Sequence, residues 1–342
     1  MNRTQEGTDD RGEASASAPE DCIHVILYDA DGADRDLGLD SLDASGLQDQ
    51  QLLWIDVACN DAALLDEIAR KLGLPAAAIA ALQRLDSTPR LENHGECFVL
   101  QAVAVEHQGA LRFTGTVLGI AAGPNFVLSV HHRPIAFIEQ LRERERGDSE
   151  LGALGAESFT ASLLDWQLST YFEAVSDFEA AVERLEVEIL SHKPRECLED
   201  LRELRRGASR LRRMLAPHRV LFAGLARPDF RPRSSGEVDA HFRRLDTHYE
   251  RAMDRVENTR ELMVGSFELF SSQTALRTNA AMRVLTFATV LIGILAVLAG
   301  VLGMNFDAAF FDAGEAGFWW TLGGMAAVVV VAVVLARWRR WL

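Results

Sequence analysis

Two uncharged apolar stretches near the C-terminus constrain the fold of this chain most strongly. Residues 284–302 and 318–336 are each nineteen residues long and contain no Asp, Glu, Lys or Arg. Nineteen helical residues extend about 28 Å, close to the roughly 30 Å hydrocarbon core of a bilayer. Two buried helices of a large soluble core would have a similar composition. The second stretch, however, ends in Arg337 and Trp338, which is typical of a membrane interface, so two transmembrane helices are predicted.

The charges around these stretches predict their orientation. Basic residues flank the outer ends of both spans, whereas the loop at residues 303–317 holds only the acids Asp307, Asp312 and Glu315. The positive-inside rule then places both termini in the cytoplasm and the loop outside. We expect a multi-pass protein of a bacterial-type inner membrane, in contact with lipid and ending in a cytosolic basic tail at residues 337–342.

The rest of the chain is acidic. The 342 residues carry a formal net charge of −15, and five arginines against three acids lie beyond Leu276, so the preceding part carries −17. Such a body repels nucleic-acid phosphates and attracts cations, so nucleic acid is not an expected partner. No two of the four cysteines have a metal-binding spacing, and reduced thiols facing the cytosol are the simplest interpretation; they are Cys22, Cys59, Cys97 and Cys197.

Residues 21–150 alternate strand-like and helix-like patterns and are predicted to form a cytosolic α/β domain, preceded by a disordered tail at residues 1–20. Asn60 is expected to cap a helix, and Gly123 with Pro124 is expected to form a turn. The predicted strands are residues 22–28, 52–57, 98–105, 116–121 and 125–130. The common enzyme signatures are absent from the sequence, so neither an enzyme nor a cofactor is expected.

Residues 151–283 change to a helical period and are predicted to form a helical stalk. Its first helix ends before Pro194, and its second runs from Leu198 to about Ala223. Residues 238–305 contain no proline, and as one helix they would extend roughly 100 Å. Because one small chain offers too little partner surface for such a helix, we expect oligomerisation around it. Its apolar stripe would form either that shared interior or a core against the chain's own second helix; the stripe is Phe242, Leu245, Tyr249, Ala252, Val256, Thr259 and Met263.

Two polar groups in the stalk have ordinary explanations. Histidines His241 and His248 lie on one helical face near Asp246, and surface histidines are favoured there over a zinc site. The second helix carries six arginines, for which a salt-bridging face is favoured over a nucleic-acid patch. The arginines are Arg202, Arg205, Arg206, Arg210, Arg212 and Arg213, and the acids expected opposite them are Glu183, Glu186 and Glu188.

A short motif follows the first apolar stretch directly: Leu302, Gly303, Met304, Asn305 and Phe306. With Asn279, the run at residues 282–286 and the pair at 299–300, it resembles the CorA family of divalent-cation channels, which includes the zinc-transporting ZntB branch. Weaker similarities at residues 54–56 and 217–219 extend the resemblance from about Leu52 to the C-terminus.

The resemblance implies a homopentameric funnel, in which the first span lines a pore and the second forms an outer ring. The family's selectivity motif maps to Gly303, Met304 and Asn305, where a ring of Asn305 carbonyl oxygens would select the hydrated ion. The external acids Asp307, Asp312 and Glu315 would attract cations. The pore-facing positions carried over from the family are Asn279, Met282, Leu285, Thr289, Gly293, Ala296 and Gly300, with Met282 and Leu285 as the apolar constriction.

The chain departs from the family pattern at several positions. Ile294 replaces the usual proline of the first span, and Gly293 stands where a bulky methionine is frequent. In magnesium-gated members, acids of the α/β domain pair with a stalk acid across subunits. The matching positions here are Ala80, Ala81 and Glu268, so Glu268 alone remains as a regulatory metal ligand and the usual sensing acids of the α/β domain are absent.

Three functions therefore compete. The first is a channel for divalent cations, Mg²⁺ foremost with Co²⁺ and Ni²⁺, driven by the membrane potential. The second is a proton-coupled Zn²⁺ transporter of the ZntB type, which the absence of charged residues within either span disfavours. The third is a non-conducting, membrane-anchored coiled-coil scaffold, and the polar Asn305 argues against it.

Overall fold

The structure is a computed structural model that describes residues 22–42, 46–48, 50–107, 112–144, 150–191, 197–230, 236–304 and 314–339. The predicted tail at residues 1–20 and the expected helix break at Pro194 lie outside these ranges. The described residues divide into two compact units. The first extends to Arg184 and includes residues 199–263, and the second consists of residues 185–198 and 264–342.

A mixed sheet forms the middle of the first unit. Its seven strands in the described residues are β1 (Ile23–Asp29), β2 (Arg35–Asp36), β3 (Gln51–Val57), β4 (Arg90–Asn93), β5 (Phe98–His107), β6 (Phe113–Ala122) and β7 (Phe126–His131). Their order across the sheet is β2-β1-β3-β7-β6-β5-β4, and the β3–β7 pair is parallel while the others are antiparallel. The five predicted strands and the Gly123 turn are confirmed, whereas the two short polar edge strands β2 and β4 were not predicted.

One face of the sheet is covered by α1 (Ala62–Leu72) and α2 (Ala76–Gln83). Alternate residues of β3, such as Leu53 and Ile55, share a core with Ile68 on α1. The expected cap at Asn60 is wrong by one residue, because the Asp61 carboxylate accepts hydrogen bonds from the backbone N–H groups of Ala63 and Leu64, at 2.9 and 3.2 Å.

The opposite face of the sheet packs against α4 (Ala156–Leu190). Trp54, from the other set of alternate residues in β3, contacts Tyr28 of β1 with ring centroids 6.4 Å apart. It also meets Phe159 of α4 edge-on at 5.5 Å. All three rings are almost completely buried, so the sheet lies between helical layers, as an α/β domain requires.

The second stalk helix, which follows α4, is shorter than predicted. The second stalk helix divides into α5 (Cys197–Leu215), a 3-10 turn at Ala216–His218 and α6 (Arg219–Leu225). Pro217 supplies no backbone N–H and so interrupts the helix that was expected to continue to Ala223. A further helix, α3 (Ala136–Arg144), follows β7.

The long helix is confirmed as α7 (Gly236–Leu302), 67 residues without a break, and the second span lies in α8 (Gly314–Trp338). Both are long and apolar enough to cross a membrane, and no residue in their most apolar windows is fully buried. These two helices therefore do not form the buried core that was the alternative to membrane spans.

The apolar stripe of α7 is covered by the chain itself. Phe242, Tyr249, Val256 and their stripe neighbours are buried within one chain, and Tyr249 stacks on Phe222 of α6 at 5.2 Å. The Tyr249 hydroxyl also donates to the Ala216 carbonyl at 3.2 Å. The interpretation of this stripe as an interior shared between copies is therefore wrong, and any shared interior must use another part of α7.

Candidate functional site

The C-terminal part of α7 presents a row of exposed residues, which are small or polar from Thr289 to Gly300. Every one of the predicted pore-facing positions lies on this helix and is exposed within one chain; the row is Asn279, Met282, Leu285, Thr289, Gly293, Ala296 and Gly300. The side chains of Met282 and Leu285, the predicted constriction, are 58% and 68% exposed. A single chain does not test the prediction that they line a pore, but both side chains are accessible to water or to another chain.

A different face of the same helix is partly shielded. Phe287, Leu291, Leu295 and Leu302 are half-buried and recur at steps of four or seven residues. At about 100° per residue, this shielded stripe lies about 170° around the helix from the row of predicted pore residues. On α8 a comparable half-buried stripe recurs at steps of three or four, formed by Gly317, Thr321, Met325, Val329 and Ala332 and continued by the buried Ala336.

The exposed faces of α7 differ in side-chain size. Val290, Ile294, Val297 and Val301 are large, exposed and fall on one side of the helix, where branched apolar side chains suit lipid. From Gly293 to Gly300 the predicted pore row carries small side chains instead. At Gly293 and Gly300 an added Cβ would meet nothing within 4 Å. Small residues let helix backbones approach closely, so this part of the row is suited to close contact with another helix.

Polar groups in this row are arranged for water or for another chain. The Thr289 hydroxyl donates to the Leu285 carbonyl at 2.9 Å, which leaves its oxygen able to accept. Within the described residues the Asn279 side-chain amide has no hydrogen-bond partner. An exposed amide next to an apolar stretch requires water or a neighbouring chain as its partner.

The predicted selectivity motif begins where α7 ends. Gly303 donates its backbone N–H to the Ala299 carbonyl at 2.9 Å, and Met304 donates to Val301 at 3.3 Å, so both complete the last helical turn. An added Cβ at Gly303 would lie 3.3 Å from the Ala299 oxygen, a close contact that favours glycine. Of the remaining motif and loop positions, Asn305, Asp307 and Asp312 lie outside the described residues, while Glu315 is exposed in the first turn of α8.

The predicted regulatory positions are also visible. Ala80 and Ala81 are half-buried on α2 and offer only methyl groups, and Glu268 is exposed on α7. Across the described ranges, no group of three or more His, Cys, Asp or Glu side chains could hold a metal ion. His248 instead pairs with Asp165 at 2.6 Å and His241 contacts the Ser158 hydroxyl at 3.2 Å, in agreement with ordinary surface histidines.

A buried polar network between β3 and β7 was not found by sequence reasoning. Ser129 donates to Asp56 Oδ1 at 2.5 Å, and Trp54 Nε1 donates to Ser129 Oγ at 3.0 Å. His131 Nε2 lies 3.2 Å from Asp56, and Arg142 lies 3.6 Å from the same carboxylate. Burial works to lower the pKa of His131, but its hydrogen bond and charge interaction with Asp56 outweigh this and raise it. The family resemblance at residues 54–56 included Trp54 and Asp56 of this network. Their contacts with Ser129 and His131 show that they stabilise the pairing of β3 with β7.

Known proteins are similar to this chain over most of its length. The family model described as "CorA-like Mg2+ transporter protein" matches residues 49–337. The cobalt/magnesium transport protein CorA of Methanocaldococcus jannaschii is 22% identical over 322 residues, covering 94% of this chain and 100% of that protein. CorA of Thermotoga maritima is 28% identical over 187 residues, covering 55% of this chain and 53% of that protein.

Structural similarity covers the soluble and the membrane parts alike. The complete structure of the CorA magnesium transporter from Methanocaldococcus jannaschii aligns with a TM-score of 0.72 at 22% identity, covering 93% of this chain and 98% of that one. The fold is therefore a soluble α/β domain followed by a long helix and two C-terminal apolar helices.

Proposed function

Because the chain belongs to the CorA-like Mg²⁺ transporter family, we propose that it is a divalent-cation channel of the inner membrane that admits Mg²⁺, with Co²⁺ and Ni²⁺ as ions of similar size. Both termini lie in the cytoplasm, and the membrane potential drives entry. A divalent ion gains about 4.6 kcal/mol per 100 mV of inside-negative potential, twice the value for a single charge.

The observation that carries this proposal is the open row on α7. Its members are exposed, they are small or polar from Thr289 to Gly300, and they lie away from the half-buried stripe of the same helix. A lipid-facing anchor has no need of such a row. Five copies of α7 arranged around an axis cover it and enclose a narrow aqueous path, with Met282 and Leu285 as the apolar constriction that gates by excluding water.

The ion is selected at the outer mouth. Mg²⁺ releases its hydration water reluctantly, so a ring of Asn305 carbonyl oxygens recognises the hydrated ion through outer-shell hydrogen bonds. Gly303 and Met304 hold the end of the helix beneath that ring. Asp307, Asp312 and Glu315 raise the cation concentration at the entrance.

The domain boundaries follow from this role. The α/β domain occupies residues 21–150, the stalk 151–283, the pore helix 284–302, the external loop 303–317 and the second span 318–336. Regulation by internal Mg²⁺ is weak, because Glu268 supplies a single carboxylate and Ala80 and Ala81 supply none.

Ion flux into proteoliposomes tests the proposal. The full chain is reconstituted, and uptake of Mg²⁺, Co²⁺ and Zn²⁺ is recorded under an inside-negative potential, with and without a pH gradient. We expect Mg²⁺ uptake that needs the potential alone and falls at least tenfold in Asn305→Ala. Asn258→Ala is the matched control, since it removes the same amide from an exposed position lower on α7.

Two outcomes would contradict this function. Zinc uptake that requires the proton gradient would favour the ZntB type of transport instead. Absence of flux for all three ions, from protein that is monodisperse before reconstitution, would leave the anchored scaffold.

A further inference from the structure

A groove in the first unit lies between α5 and α7 and is lined by four arginines. Arg205, Arg212 and Arg213 come from α5, and Arg260 faces them from α7. The groove has a volume of about 330 Å³, which is within the range of small-molecule sites. The channel mechanism uses none of these residues.

Helical spacing explains why the arginines converge. Arg205, Ser209 and Arg212 recur at steps of four and three, so they share one face of α5, and Arg213 adjoins it. On α7, Val256, Arg260 and Met263 recur in the same way, which points Arg260 into the same space. The hydroxyl of Ser209 adds a hydrogen-bond donor to the lining.

Most of this positive charge is unpaired. In the described part of the chain, Arg205, Arg213 and Arg260 have no carboxylate within 4.0 Å, and Arg212 pairs with Glu257 at 3.6 Å. The positions three and four residues from Arg205 and from Arg213 on either side contain no acid, so neighbours along the helix offer no partner. The salt-bridging face expected for the α5 arginines is therefore present only at Arg212, and the groove keeps about three positive charges in a chain whose net charge is −15.

The floor of the groove is apolar. Ala208, Val256 and Met263 line it and are buried. An inorganic anion would use only the arginines, whereas a ligand with a planar or apolar part would also cover this floor. A long polyanion such as RNA is disfavoured, since the chain as a whole carries a net charge of −15.

We propose that this arginine groove binds a small molecule that carries two or more linked phosphate groups and a base or similar planar part, such as a nucleoside diphosphate or triphosphate. One phosphate group carries about two negative charges at neutral pH and leaves the groove positive, while two or three linked phosphates neutralise it. Guanidinium groups bind phosphate oxygens in pairs of parallel hydrogen bonds, so several arginines grip a polyphosphate at once.

Calorimetric titration of the full-length protein in detergent tests the groove. The probes are ADP, ATP, pyrophosphate, inorganic phosphate and glycerol phosphate, all in EDTA so that no divalent cation takes part. We expect saturable binding of ADP and ATP, at least tenfold tighter than of either single-phosphate probe, with pyrophosphate between. Glycerol phosphate represents a lipid headgroup, and binding as tight as that of ADP would overturn the proposal, as would no binding of any probe.

Paired variants then localise the site. Arg205→Gln with Arg260→Gln should weaken ADP binding at least tenfold, and Arg213→Lys should weaken it less, because it keeps the charge and loses the paired hydrogen bonds. The matched control is Arg202→Gln with Arg206→Gln, which removes the same charge from exposed positions of α5 outside the groove.

Equal losses in the two double variants would show diffuse attraction and overturn the site. Elution volume and melting temperature establish that each variant is folded. Because binding is measured without transport, failure of this proposal leaves the proposed function standing, and the reverse also holds.

Discussion

The backbone of Val103, in the middle of β5, is held by three buried side chains. Gln167 Nε2 and the Tyr171 hydroxyl donate to its carbonyl at 2.6 and 3.0 Å, and its N–H donates to His218 Nε2 at 2.9 Å. Since Nε2 accepts, the proton of a neutral His218 is on Nδ1, where the Leu215 carbonyl lies 3.1 Å away. Burial lowers the pKa of His218 to about 4.

This His218 pKa predicts a loss of stability in acid. Between the ordinary pKa of about 6.5 and the folded value, the unfolded chain binds a proton that the folded chain does not, so stability falls as pH falls through that window. The slope is at most about 1.4 kcal/mol per pH unit. Replacing His218 with Gln keeps an acceptor and removes the titration. We expect the urea midpoint of the wild type to fall more steeply from pH 6.5 to 4.5 than that of His218→Gln.

His131 is also buried, but its contribution to the pH dependence of stability is the same in wild type and His218→Gln, so it cancels in the comparison. His131 has a raised pKa, so its contribution has the opposite sign: it is complete below the ordinary value and is lost as pH rises through the folded one. His132→Gln, at an exposed neighbouring position, is the control and should leave the slope unchanged. Parallel curves for wild type and His218→Gln would show that His218 is not the titrating group.

At the scale of elements, α7 divides into two parts that differ in what covers them. Its stripe in the first unit, including Phe242 and Tyr249, is buried by its own chain, and its row of predicted pore residues is exposed. Sequence periodicity is the same for both, because apolar residues at steps of three and four mark a face without saying what lies against it. The short strands β2 and β4 were not predicted for a related reason. Polar edge strands lack the alternation of apolar and polar residues that identifies a half-buried strand.

The exposed row of α7 predicts that a large side chain placed in it reduces ion flux. In the proposed channel, Gly293→Phe places a ring where the copies of α7 approach one axis, so Mg²⁺ flux should fall at least tenfold while expression and oligomer size are kept. Gly323→Phe on α8 is the matched control, since an added Cβ there also meets nothing within 4 Å and the position lies off the half-buried stripe of α8. Equal flux in the two variants would show that Gly293 does not line a conducting path.

At the scale of the whole molecule, the chain combines an acidic soluble body with membrane helices that have almost no core of their own. No residue in the most apolar windows of α7 and α8 is fully buried in one chain, so an apolar environment such as lipid, or another copy of the chain, is needed to cover them. We expect native mass spectrometry of the detergent-solubilised protein to give a mass five times the 37.7 kDa of one chain. A monomer across the accessible concentration range would contradict the enclosed pore.

The sequence alone determined the two spans, the unbroken long helix, the α/β character of the first unit and the family resemblance. These features depend on local properties, namely apolar runs, the absence of proline and a short motif next to a span, and none of them requires knowledge of distant contacts. Tertiary structure alone decided that the stripe around Tyr249 is an internal core, that Pro217 ends α5, and that Arg260 meets the arginines of α5. Each of these depends on which face of one element lies against another. Helical periodicity repeats every 3.6 residues whatever the partner, so only the packed chain specifies the partner.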